Sequence, residues 1–121
     1  MGKLENIELA REIAKILDTK KARDIKILKV ADKTVIADYF VIAAGGSSTQ
    51  VKSLADEVDF VLSTKHGIES ANIEGRGLGN WILLDYESVI VHVFNPQTRE
   101  FYNLEKLWAE CEQVSFEMQE D

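Results

Sequence analysis

The sequence predicts one α/β domain, a mixed β-sheet flanked by helices. Three observations predict it. Apolar residues recur at three- and four-residue spacing over 4–17 and again over 51–62, the period of a helix with one buried side. Tyr39-Phe40-Val41-Ile42-Ala43-Ala44 is a continuous apolar run bounded by Gly45-Gly46, the pattern of a central strand covered on both faces. Two further apolar segments, 81–84 and 89–94, are close enough to form an antiparallel hairpin. With 121 residues there is room for a single core.

The elements follow in order. Ile7, Ala10, Ile13, Ala14 and Leu17 form the apolar stripe of a first helix over 4–17. Lys20-Lys21-Ala22-Arg23-Asp24 is a polar break, and Ile25, Ile27 and Leu28 to Val30 then alternate as a first strand. Residues 31–38 are a loop or one short turn. After the 39–44 strand, Ser47 is placed to cap a helix and Gln50 to complete a capping box. Val51, Leu54, Ala55, Val58, Val61 and Leu62 give that helix its buried side. Gly67 stops it, with Lys65 and His66 in a last turn that favours positive charge. A short strand around Ile73 runs into Gly75, Gly77 and Gly79. Trp81–Leu84 and Val89–Phe94 are hairpin strands joined through Asp85-Tyr86-Glu87-Ser88. Asn95-Pro96 fits a cap and first helical position. Phe101, Leu104, Leu107 and Trp108 mark a final helical segment, with Asn103 as a second cap. The domain is expected over 1–109, followed by an acidic tail over 110–121.

Composition excludes several classes. Hydrophobic residues make up 45% and charged residues 29%, with one proline, which is a folding chain and not a disordered one. The single cysteine, Cys111, excludes an internal disulfide and a cysteine-rich zinc site, and fits a reducing compartment. No apolar run approaches the ~18 residues of a membrane span. No charged-then-apolar signal segment opens the chain, so a cytoplasmic protein is expected. Met1-Gly2 begins a myristoylation pattern, but Asn6 stands where Ser or Thr is required.

The net charge of −7 is unevenly spread. Residues 1–33 hold nine of the 14 bases, and residues 34–121 hold fifteen of the 21 acids. Glu110, Glu112, Glu117, Glu120 and Asp121 lie in a stretch without a base. Such a chain is a poor non-specific nucleic-acid binder, because phosphate contacts need Lys and Arg. It suits a basic protein surface, where opposite charge speeds encounter, although the charge also serves simple solubility.

Each chemical motif has a plainer alternative. Gly45-Gly46-Ser47 follows a strand and precedes a helix, where backbone amides can hold a phosphate. It is neither a Walker loop nor a dinucleotide fingerprint. A strand followed by Gly-Gly-Ser also opens nucleotidyltransferase sites, which need carboxylates close behind to hold magnesium. Here the next acids are Asp56, Glu57 and Asp59, two turns into the helix and not on one face. A tight turn plus a helix cap is the better reading. His92 alternates with Val91 and Val93 and has no readable acid or serine partner, which makes it structural or a sheet-surface residue. His66 is a charge at a helix end. Glu110 and Glu112 disfavour a Cys111 thiolate. No catalytic residue, metal site or cofactor site is expected, and the chain is expected not to be an enzyme. The Gly75-Arg76-Gly77-Leu78-Gly79-Asn80 stretch reads as a mobile lid or as a flexible lead-in to Trp81.

Trp81 and Tyr86 are the exposed-aromatic candidates, set against the ordinary fate of a strand tryptophan, which is the core. Trp81, Leu83 and Asp85 share one face by period two, and a face ending in Asp85 is at least partly wet. An aromatic anchor, an aliphatic neighbour and an acidic rim are the ingredients of a protein-binding hot spot.

Several segments, in order, carry a more specific signal: Ala37-Asp38-Tyr39-Phe40-Val41-Ile42-Ala43, Gly46-Ser47-Ser48-Thr49-Gln50-Val51 with Ala55-Asp56, and Glu74-Gly75. Gly79-Asn80-Trp81-Ile82-Leu83-Leu84-Asp85-Tyr86, Val89-Ile90-Val91-His92-Val93-Phe94 and Arg99-Glu100-Phe101-Tyr102-Asn103-Leu104-Glu105-Lys106-Leu107-Trp108 complete them. Together they resemble the ribosomal silencing factors, the RsfS or Iojap family. Residues 68–72 lack the proline often found before the Glu-Gly pair, and Glu87-Ser88 replaces the more usual Gly-Asp turn. Residues from about 110 onward lie outside the resemblance.

The resemblance implies a nucleotidyltransferase-like α/β fold without known catalysis. It implies binding to the large ribosomal subunit through the basic ribosomal protein numbered fourteen, at the face that meets the small subunit. Occupying that face blocks subunit joining and lowers translation when nutrients are short; organelle members also act in large-subunit assembly. In the family the tryptophan strand and the turn after it belong to the binding surface. By position these are Trp81, Leu83, Asp85 and Tyr86, with Asp38, Tyr39 and Glu74 as weaker members. The final aromatic segment, Phe101, Tyr102, Leu107 and Trp108, is read as core closure. A nucleotidyltransferase-fold enzyme and a dimerising adaptor without ribosome binding are the alternative functions, and a homodimer stays open.

Overall fold

The computed structural model describes residues 6–32, 35–95, 97–98, 109 and 111–114. The chain runs through α1 (Asn6–Thr19), β1 (Arg23–Lys29), β2 (Tyr39–Ala44), α2 (Ser48–His66), β3 (Asn72–Glu74), β4 (Trp81–Asp85), β5 (Val89–Phe94) and β6 (Glu112–Val114). Among the described residues six strands form one mixed sheet, in the order β3-β4-β5-β2-β1-β6. β2 and β5 are parallel; the other neighbours are antiparallel. The apolar run of 39–44 lies inside the sheet, as its composition predicts, with Val41 to Ala44 buried.

Helix ends follow local chemistry. Ser47 is extended (φ −155°, ψ 166°) and its hydroxyl accepts the Gln50 N–H at 3.2 Å. The Gln50 side chain reaches back one residue further than the usual box, taking the Gly46 N–H at 2.6 Å. Gly67 ends α2 in the left-handed region at φ 67°, where a side chain would be strained. α1 also buries Leu9 and Ile16 beyond the expected stripe.

β1 begins two residues before the predicted strand. Its register shifts between Arg23 and Lys26, with Asp24 at φ 51°. This bulge interrupts the alternation, which is why the pattern is readable only from Ile25. Glu112–Val114, placed in the tail by its acidity, pairs with β1 as an edge strand. The expected final helical segment, Phe101, Leu104, Leu107 and Trp108, with Pro96 and Asn103, lies outside the described residues. Asn95 does act as a cap there, its Oδ1 accepting the Thr98 N–H at 2.8 Å.

Two apolar clusters sandwich the sheet. On one face α1 and α2 pack over Ile27, Val41, Ala43, Ile82, Leu84, Val91 and Val93. On the other face Leu28, Val30, Phe40, Ile42, Ile90 and Phe94 cluster, with Trp81, Leu83 and Cys111 packed against them. No helix among the described residues is long and apolar enough to cross a membrane.

The hairpin turn is tighter than the four-residue loop expected. Tyr86 N–H bonds the Val89 carbonyl at 2.9 Å, leaving Glu87 and Ser88 as the turn. Glu87 sits at φ 72°, a value that favours glycine. Asp85 Oδ1 steadies it by accepting the Glu87 N–H at 2.8 Å. Glu87→Gly should therefore raise unfolding stability by about 0.5–1 kcal/mol in denaturant titration. Gly75 is constrained more severely. It sits at φ 88°, and an added Cβ would lie 2.1 Å from the Trp81 carbonyl oxygen. Gly75→Ala should cost about 2–3 kcal/mol, a fall of roughly 10 °C in Tm. Gly77→Ala, with open space around it, should leave the melt unchanged.

Candidate functional site

The β4–β5 hairpin builds the candidate surface. Successive side chains of β4 alternate between faces, so Ile82 and Leu84 are fully buried under the helices while Trp81, Leu83 and Asp85 remain half-buried on the opposite face. β3 adds to the same edge: Glu74 lies opposite Leu83 and Asn72 opposite Asp85. Both β3 residues are exposed, and the Asn72 amide donates to Glu74 Oε2 at 2.6 Å. Trp81, Leu83, Asp85 and Glu74 are thus brought together, an apolar patch with a carboxylate rim. Asp38 lies at the end of the sheet where this hairpin turns, its N–H bonded to the Ser88 carbonyl at 2.8 Å.

Tyr86 and Tyr39 are not on this surface. Tyr86 is expected as an exposed aromatic, but only 6% of it is accessible. The alternation that places Asp85 outward turns the next residue inward, beside Ile82 and Leu84 in the helix-side core. Its hydroxyl donates to Asp59 on α2 at 3.2 Å. Burial first, then the Asp59 carboxylate, push that hydroxyl well above the ordinary tyrosine range. Tyr39 likewise packs against the helix-side core, because period two puts it on one face with Val41 and Ala43.

Trp81 is held from within the sheet. Its cross-strand partner Phe94 meets the ring edge-on, centroids 5.9 Å apart at 89°. His92, diagonal to it on β5, accepts the indole N–H on Nδ1 at 3.2 Å. Phe40 on β2 packs edge-on against His92 at 4.7 Å. His92 is structural, one of the two readings its alternation allows, and burial pushes its imidazole down to about 4. What the sequence reading missed is its bond to Trp81. The signal was the hairpin register, which sets residue 92 two positions from the partner of residue 81. Leu78, 78% exposed in the loop before Trp81, is a further apolar residue beside this surface, the one large apolar side chain in the glycine-rich stretch.

The other chemical candidates are engaged in the fold. The Gly46 N–H and the Ser47 hydroxyl are both taken up in capping α2. Asp56 pairs with Arg76, which ties the 75–79 loop to α2, and Asp59 holds Tyr86. His66 Nε2 meets Glu12 of α1 at 3.2 Å. Among the described residues no three His, Cys, Asp or Glu side chains converge to hold a metal ion.

A family model described as "Ribosomal silencing factor during starvation" matches residues 3–121, through the segment taken as lying outside the resemblance. A ribosomal silencing factor RsfS of Halalkalibacterium halodurans is 38% identical, over 94% of this chain and 97% of that protein. The mouse protein named mitochondrial assembly of ribosomal large subunit protein 1 is 33% identical over 80% of this chain, which spans 43% of that longer protein. Among solved structures, a Chromobacterium violaceum protein superposes with a TM-score of 0.83 at 32% identity, covering 96% of this chain and 95% of that one.

The buried imidazole makes stability fall with acid. The unfolded chain takes up a proton near pH 6.5, the folded His92 only near 4, so below pH 6.5 the unfolded state binds more protons and gains. This group's contribution is fully present above 6.5 and declines by about 3 kcal/mol as pH falls through 4. Urea unfolding at stepped pH should show a shallower acid slope in His92→Asn than in the wild type.

Proposed function

Since the chain belongs to the ribosomal silencing factor family, we propose that it represses translation by binding the large ribosomal subunit and blocking association with the small one. Its contact there is the basic ribosomal protein numbered fourteen, on the face that meets the small subunit. The observation that carries this reading is the half-buried Trp81–Leu83–Asp85 face, edged by Glu74, on a strand paired on both sides. An aromatic anchor among aliphatic neighbours supplies a desolvated centre, and the carboxylates at its rim suit a basic partner. The name of the mouse relative supports the large subunit as the partner.

Silencing of this kind needs no reacting group. It needs a docked body that excludes the small subunit, and so a surface held in place before contact. The docking residues are Trp81, Leu83, Asp85 and Glu74, with Asp38 near the turn end of the hairpin, the end that carries Asp85. Tyr86 and Tyr39 contribute from behind, by fixing the hairpin and β2 on the helix-side core. The protein acts in the cytoplasm, as a non-enzymatic factor without cofactor.

Sedimentation through sucrose gradients with isolated large subunits tests this. The wild type should travel with large subunits and reduce their joining to small ones. Trp81→Ala should lose ~2–4 kcal/mol of binding, about 30- to 1,000-fold in affinity. A thermal melt must show the variant folded, because a purely structural Trp81 would cost ~3–5 kcal/mol of stability instead. Asp85→Asn keeps the acceptor that steadies Glu87 while removing the charge. It should weaken binding modestly, and more at low salt than at high salt. A folded Trp81→Ala protein that sediments with subunits as the wild type does would sink the reading.

A further inference from the structure

A tryptophan on a half-open sheet face has several rotamers, and each one a partner must suppress lowers affinity. Here the ring is confined before any partner arrives. Phe94 abuts it edge-on, and His92 Nδ1 accepts its N–H at 3.2 Å. An indole nitrogen can only donate, so Nδ1 must carry the lone pair, and the neutral ring's proton is on Nε2. Phe40, edge-on at 4.7 Å, fixes the imidazole in turn, so that a relay of three rings crosses β2, β5 and β4. An aliphatic side chain at position 92 would fill a strand interior with no polar group to desolvate. The histidine is 6% accessible and its neighbours on β5 are valines.

We propose that His92 is the positioning residue of the docking surface: by accepting the Trp81 indole N–H it holds the ring in the orientation that a basic protein partner meets. This rests on the docking role given to Trp81 above. His92 touches no partner itself; it acts through the tryptophan. The demand on position 92 is for an acceptor at the place of Nδ1, not for a charge or for an aromatic ring. Asparagine, whose Oδ1 branches from the same carbon, meets that demand; leucine, of similar bulk, does not.

The test compares wild type, His92→Leu and His92→Asn by two readouts. The first needs no partner: the Trp81 indole N–H resonance, identified by its loss in Trp81→Phe, and its exchange rate with water. The second is sedimentation with isolated large subunits. In His92→Leu the indole resonance should move upfield and exchange faster, and affinity should fall about three- to ten-fold. His92→Asn should restore most of both. An indole signal and affinity unchanged in His92→Leu overturn the proposal, as does a folded His92→Asn that restores neither. Should His92→Leu not fold, the wild-type imidazole nitrogens decide: a protonated Nε2 with bare Nδ1 sustains the proposal and the opposite tautomer ends it. If the wild type does not sediment with large subunits, the docking reading fails, and with it the purpose assigned to His92. If it does sediment and only the His92 variants behave as wild type, the positioning role alone is lost.

Discussion

The parallel pairing of β2 with β5 fixes everything else in the molecule. Six residue pairs run from Tyr39–Val89 to Ala44–Phe94, and the Gly45 N–H extends the ladder to the Phe94 carbonyl. β5 is buried along its whole length, and β2 from Phe40 onward. Because side chains alternate, this register decides which residues face the helices and which face away. Phe40, Ile42, Ile90, His92 and Phe94 go to one side; Val41, Ala43, Val91 and Val93 go to the other. The hairpin transmits the choice to β4, and so presents Trp81, Leu83 and Asp85 together. A slip of one residue at the centre would send Trp81 into the helix core and Ile82 outward.

Most of this was legible in the residues. The apolar run of 39–44 specifies an interior strand, Ser47 and Gly67 bracket α2, and the nearness of 84 to 89 forces a hairpin. What stayed illegible has local causes. Asp24 enters the left-handed region to make a bulge, a conformation that no periodicity announces. Glu112–Val114 is an edge strand of three residues, two of them exposed and one of these acidic, so neither alternation nor apolar content marks it. Its partner, β1, supplies the reason it is a strand at all.

The site was half legible for a related reason. Period two placed Trp81, Leu83 and Asp85 on one face with no further information. The same rule carried one residue past Asp85 places Tyr86 inside, but a four-residue loop puts Tyr86 at its middle, where strand alternation no longer holds. The structure extends β4 through Asp85 and closes the hairpin at Tyr86–Val89, which makes Tyr86 a core residue with its hydroxyl tied to Asp59. The bond between Trp81 and His92 lies a level deeper. It depends on the cross-strand register, and the register depends on the length of the turn.

The central strand pair also sets an order of events for the growing chain. Tyr39 must wait for Val89, a partner about fifty positions further along, whereas the β4–β5 hairpin closes across two turn residues. During synthesis, β2 can be fully extruded and still lack one of its two neighbours, with its apolar run seeking cover. α1 and β1 are available earlier; α1 can shield one face of it and β1 one edge. The centre of the sheet closes only when residue 94 has emerged, so the last strand to arrive there is the one that completes the aromatic face. A nascent chain shorter than this has the tryptophan of the surface but not the strand that aims it.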